Sequence, residues 1–164
     1  MVLHQLALLA MDRGEPDRAI AHADEALSAQ VQDSHGVIAG RLYLATAMVH
    51  AARPAEAHEL MCSLIDDIVQ TGDVDLAAEA LDDLTQAAAG LDFDLQTAHL
   101  SGAADRLREQ RQLPRPPPEV RHLERSLGPA RHRVGGAAWD AGYSAGRRLS
   151  HVEALNLARQ PLDS

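Results

Sequence analysis

Fifteen small or apolar side chains fall into three sets that share one internal rhythm. Leu6, Ala10, Ala19, Ala23 and Ala26 form the first set; Leu44, Met48, Ala57, Met61 and Leu64 the second; Leu84, Ala88, Thr97, Ser101 and Ala104 the third. Each set steps by 4, 9, 4 and 3 residues, and the sets are offset by 38 and then 40. Side chains four apart share one face of an α-helix. The pattern describes helical hairpins, and hairpins repeated along a chain bury their apolar faces on one another. Ala19, Ala57 and Thr97 are expected where the two helices of each hairpin cross, because only a small side chain admits close approach there.

Composition points the same way. The chain has 164 residues, enough for one domain with a real core. Its aromatics are Tyr43, Phe93, Trp139 and Tyr143, and alanine and leucine dominate the apolar residues. That suits helices in close contact and suits sheets poorly. The fold class expected is all-α.

The net charge of −9 is unevenly placed. Residues 1–100 hold 4 Arg against 17 Asp and Glu, and residues 101–164 hold 11 Arg against 7, giving −13 and +4. An acidic array with a mildly basic tail is no nucleic-acid footprint, and no direct nucleic-acid partner is expected. Such asymmetry can orient two parts of one molecule; the reading favoured here is two solvated surfaces. All 15 basic residues are arginine. That excludes mechanisms built on a lysine, the P-loop included.

The first hairpin is expected near 2–13 and 16–29, with Gly14 in its turn and Pro16 opening the second helix, where a missing N–H costs nothing. The second runs about 34–52 and 54–71, with Pro54 in the frame of Pro16 and Gly72 at its end. The third runs about 74–89 and 94–110, with Gly90 between. Residues 113–118, Leu-Pro-Arg-Pro-Pro-Pro, cannot be helical throughout. They are read as a stiff turn; the alternative is a polyproline ligand. The organisation expected is thus helical repeats over 1–112, a Pro-rich turn over 113–118 and a helical cap over 119–164.

In that cap, Glu119–Arg133 reads as a helix interrupted by Gly128-Pro129, and Gly135-Gly136 breaks the chain. A short helix over Ala137–Ala145 carries Trp139 and Tyr143, expected to anchor the tail on the repeats. Ser150 and Glu153 form a capping-box pattern for a last helix to about Arg159.

The repeat spacing resembles tetratricopeptide repeats, with Ala19, Ala57 and Thr97 at that family's small crossing positions, though the period is longer and the usual aromatics are mostly gone. The tail is similar to the segment that closes the solenoid of large bacterial regulators of the LuxR-type and MalT-like ATP-binding class. Their aromatic-ended helix, Gly-Arg, Leu-Ser and final Glu-Ala helix match Tyr143, Gly146-Arg147, Leu149-Ser150 and Glu153-Ala154 here. The resemblance implies a tetratricopeptide-like α-solenoid of three hairpins and a C-terminal sensor part. It also implies that this chain is cut out from, or encoded apart from, an ATPase and a helix-turn-helix. This sequence has no Gly-x4-Gly-Lys-Ser/Thr motif.

No residue pattern calls for catalysis. The nine histidines show no His-x3-His pair and no zinc spacing with the lone Cys62, which reads as a small buried residue. Asp66-Asp67 and Asp82-Asp83 read as solvated faces. Ser150, with His151 and Glu153 so near in sequence, is a helix cap rather than a triad serine; Arg147-Arg-Leu-Ser150 also fits a basophilic kinase site, a weaker reading. No catalytic, cofactor-binding or metal residue is assigned, and no cofactor is expected.

The start, Val2 to Ala10, lacks a basic flank and reads as a repeat helix rather than a signal peptide. No stretch suits a membrane span, and a cytoplasmic protein is expected. The function expected is non-catalytic: a protein-interaction or sensor module facing a protein partner or a neighbouring ATPase, its first helix covered either by self-association or by a repeat upstream of it. The alternative is a free-standing tetratricopeptide-repeat scaffold.

Overall fold

A computed structural model describes residues 10, 13–29 and 34–160. Among them are eight α-helices and no strand, so the chain is all-α. The helices are α1 (Pro16–Ala29), α2 (Ser34–His50), α3 (Pro54–Thr71), α4 (Val74–Gly90), α5 (Asp94–Arg111), α6 (Pro117–Val134), α7 (Gly136–Gly146) and α8 (His151–Leu157). The helix expected over 2–13 lies outside the described residues except for Ala10 and Arg13, as do Leu6 and the side chain of Ala26. No described helix is long and apolar enough to cross a membrane.

The 38- and 40-residue frame extends into the backbone. Gly14, Ala52 and Asp92 hold equivalent places in it, and all three are left-handed, with φ of 69°, 56° and 60°. The residue after each closes the same turn. The N–H groups of Glu15, Arg53 and Phe93 donate to the carbonyls of Ala10, Met48 and Ala88 at 2.9, 2.9 and 3.0 Å. This six-to-one bond satisfies a carbonyl that the end of a helix leaves unpaired. The next helix then starts in frame at Pro16, Pro54 and Asp94. Gly90, expected in the third turn, is instead the last residue of α4; Asp92 takes the left-handed position.

The chain forms two compact units, Met1–Thr71 and Gly72–Ser164. In the first, α2 packs against both α1 and α3. Ala10, Ala19 and Ala47 form a buried cluster there with Ile20 against it. Alanine at each contact brings the backbones close.

In the second unit α5 is the central helix, touched by α4, α6, α7 and α8. The third hairpin and the tail thus share one compact body. Its core joins Ala89 of α4, Ala98 of α5, Leu123, Leu127 and Ala130 of α6, and Trp139 of α7.

Two local expectations change. The Pro-rich turn is shorter than 113–118: Pro116 caps α6, and Pro117 and Pro118 are its first residues, where no N–H is needed. Gly128-Pro129 does not interrupt α6, which runs through Pro129 to Val134. Leu123 and Leu127 before the pair and Ala130 after it are all buried on one core, and that packing outweighs local propensity.

Candidate functional site

Burial separates the repeat positions by role. Ala19, Ala57 and Thr97, the positions expected at the crossings, have no solvent exposure. Ala10, Ala23, Met61, Leu64, Leu84, Ala88, Ser101 and Ala104 are buried as well, while Leu44 and Met48 are half-buried. The Thr97 hydroxyl, which would otherwise be an unmatched polar group at the crossing, donates to the Phe93 carbonyl at 2.9 Å.

One frame position is used in two ways. Glu15 pairs with Arg18 at 2.6 Å, and in the next repeat Arg53 pairs with Glu56, the same two places with the charges exchanged. In the third repeat these places hold Phe93 and Gln96. Gln96 is fully buried, and its amide Nε2 donates to the Leu157 carbonyl at 2.8 Å, fastening α8 to α5.

The seat of the tail on the third hairpin is the most elaborate polar site among the described residues. Trp139 is buried in the core, with the Arg131 guanidinium 4.9 Å above its ring centre. One turn later the Tyr143 hydroxyl donates to Asp105 Oδ2 at 2.7 Å. Burial, and then the hydrogen bond and charge of Asp105, push the Tyr143 phenol above its ordinary pKa.

Asp105 also accepts from Arg115 Nη1 at 2.6 Å. Arg115 reaches Asp82 with its other edge, Nε to Oδ2 at 2.9 Å and Nη2 to Oδ1 at 2.6 Å. Arg108 Nε donates to Asp82 Oδ2 at 2.7 Å. Burial acts against the Arg115 charge, but the hydrogen bonds and charges of Asp82 and Asp105 outweigh it and raise its pKa. The chain Asp82–Arg115–Asp105–Tyr143 thus joins α4, the turn before α6, α5 and α7.

Two expectations are overturned here. Asp82 and Asp83 are buried, not solvated, because α4 packs against α5 and α6; Asp66 and Asp67 are exposed as expected. The charge asymmetry is also more than two solvated surfaces. Besides Arg115, Arg133 pairs with Asp92 at 2.9 Å and Asp94 at 2.6 Å, and Arg147 grips both oxygens of Glu109 at 3.0 and 2.6 Å. Basic tail residues meet acidic residues of the third hairpin at each point.

Close backbone contact completes the seat. A β-carbon on Gly102 would lie 2.1 Å from the Tyr143 carbonyl oxygen, and one on Gly142 would lie 3.0 Å from the Ala98 β-carbon. Sequence reasoning missed these glycines, although Gly142 and Gly146, four apart on one helix face, carried the signal. It also missed Arg108, Arg115, Asp105 and Gln96, whose roles depend on partners 10 to 61 residues away.

At the start of α8 both bonds of the capping box are made. Ser150 N–H donates to Glu153 Oε2 at 2.8 Å, and Glu153 N–H donates to Ser150 Oγ at 3.2 Å. Among the described residues no three His, Cys, Asp or Glu side chains converge as a metal site requires. Set against family models, curated proteins and solved structures, the chain matches none.

Proposed function

We propose that this chain is a non-catalytic interaction or sensor module built as a tetratricopeptide-like solenoid, of the style that closes LuxR-type ATP-dependent regulators. The observation that supports it best is the hairpin turn repeated at 38- and 40-residue steps, with the same left-handed residue and the same six-to-one bond. Repeated hairpins of this kind offer a continuous surface to a partner. The tail, seated on the third hairpin, adds a firm end, so that binding on the repeats can be transmitted to a neighbouring domain as a change of packing.

The test begins with the coding DNA on either side. An adjacent or in-frame ATP-binding P-loop protein, purified and mixed with this chain, is expected to co-elute with it and to change its rate of ATP hydrolysis. Separate elution together with an unaltered rate would overturn the regulatory reading in favour of a free-standing scaffold. Light scattering on the isolated chain tests the self-association expected of its first repeat; a clean monomer that binds no hydrophobic dye argues against it.

A further inference from the structure

Between α5 and the turn joining α7 to α8 lies an open cleft of about 390 Å³. Buried Ala103 and Leu107 and half-buried Leu149 give it an apolar floor. Two arginines also line the cleft, Arg106 from α5 and Arg148 from the turn, and both are exposed. Their neighbour Arg147 is taken up by Glu109. Arg106 and Arg148 make no ion pair among the described residues.

Arg106 is held in place by neutral groups. Its Nη1 donates to the Arg147 carbonyl at 2.8 Å. Its other edge faces the side-chain amide of Gln110, which, turned to satisfy both groups, accepts from Nε and Nη2 at 3.1 and 3.2 Å. An amide oxygen thus sits in the fork where a carboxylate or phosphate oxygen would bond more strongly, with charge assistance and two parallel contacts. The carboxylate lining the cleft, Glu153, is already engaged by the Ser150 N–H and hydroxyl, both at 2.8 Å.

We infer that this cleft binds an oxyanion carried on a short apolar body, with Arg106 and Arg148 as its clamp and the exposed Gln110 amide swinging aside. A volume of this size suits a small molecule. The site is independent of whether the repeats also bind a protein.

Calorimetric titration of the full chain with phenyl phosphate and, separately, with benzoate tests it. Saturable one-to-one binding of at least one probe is expected, and the stronger of the two assigns the site to phosphate or carboxylate ligands. Arg106→Gln and Arg148→Gln are each expected to weaken binding by about tenfold or more. Arg121→Gln, on the outer face of α6, should bind as the parent does. Arg106→Lys, which keeps the charge but loses the fork, should fall between. Circular dichroism and melting of each variant establish that it is folded. The inference is overturned if neither probe gives saturable binding, if both cleft variants bind undiminished, or if Arg121→Gln loses binding equally.

Discussion

Gly146 of α7 passes so close to His99 of α5 that a β-carbon on the glycine would fall 1.8 Å from the His99 carbonyl oxygen. That oxygen belongs to a helix backbone and cannot rotate aside as a side chain can. Gly102 and the Tyr143 carbonyl repeat the contact in the opposite sense. The two helices touch backbone to backbone.

Gly146→Ala should therefore force α7 outward and destabilise the protein by about 1–3 kcal/mol or more. Urea unfolding followed by circular dichroism measures it. Gly128→Ala is the matching control, because no group of another helix lies within 4 Å of its added carbon. Helix propensity favours the alanine and the following Pro129 opposes it, so the change should stay within about 1 kcal/mol. Equal midpoints for the two variants would show that α7 is not seated as described.

Trp139→Ala should cost about 3–5 kcal/mol, since the ring is buried among residues of four helices. As the chain's single tryptophan it also reports its own environment. In the parent protein its emission should be blue-shifted and should move to the red on unfolding. A negligible change in melting temperature in the alanine variant would show the tail undocked.

Arg115→Ala leaves Asp82 and Asp105 facing each other without their shared cation. The Arg115 side chain is 14% exposed, but Asp82 keeps Arg108 and Asp105 keeps the Tyr143 hydroxyl, so the loss should be about 1–3 kcal/mol. Arg18→Ala removes a pair whose arginine is 67% exposed, and should cost about 0–1 kcal/mol. Thermal melts at low and high salt separate the two. The Arg115 effect should persist in salt and the Arg18 effect should fade.

Glu153 supplies a pH dependence with a definite sign. Hydrogen bonds from the Ser150 backbone N–H and then its hydroxyl hold the carboxyl below the ordinary glutamate range. A depressed folded-state pKa means stability that is present above the unfolded value and is lost as pH falls through the folded one. The protection of α8 amides, taken relative to intrinsic exchange at each pH, should accordingly fall in acid in the parent protein, and Glu153→Gln should flatten that dependence. Ser150→Ala should lower stability by about 1 kcal/mol. Identical acid profiles for parent and Glu153→Gln would remove the capping box from the account.

Ala52→Gly should raise stability, by up to about 1 kcal/mol. Alanine carries a β-carbon into a left-handed backbone where glycine does not, and the equivalent place in the first repeat is already glycine. Chemical denaturation of the two proteins side by side decides it. A loss of stability would mean that unfolded-state freedom outweighs the relieved strain.

The hairpins were legible because helix periodicity and small-residue spacing are local signals. The bounds of α3 and α5 follow from Pro54, Gly72 and the spacing around Thr97 to within a residue or so. The third turn lies where the spacing puts it, but its left-handed place falls to Asp92 rather than Gly90, because a short polar side chain tolerates that region. Asp82 and the tail arginines were harder. A buried ion network is assembled from residues far apart in the chain, and nothing in the dipeptide Asp82-Asp83 distinguishes it from exposed Asp66-Asp67. The −13 and +4 halves did contain the signal, but charge totals do not say which carboxylate faces which guanidinium. Pro129 shows the reverse case, in which a strong local breaker yields to three buried neighbours.

The frame shared by Arg18, Glu56 and Gln96 puts an ion pair at two of its places and a buried amide at the third. A hydrated charge at this place pays no penalty in open solvent and would resist being covered. An amide there can be covered, because its hydrogen can be handed to the passing Leu157 carbonyl. One neutral side chain at a position otherwise kept ionic lets α8, three helices further along, lie against α5.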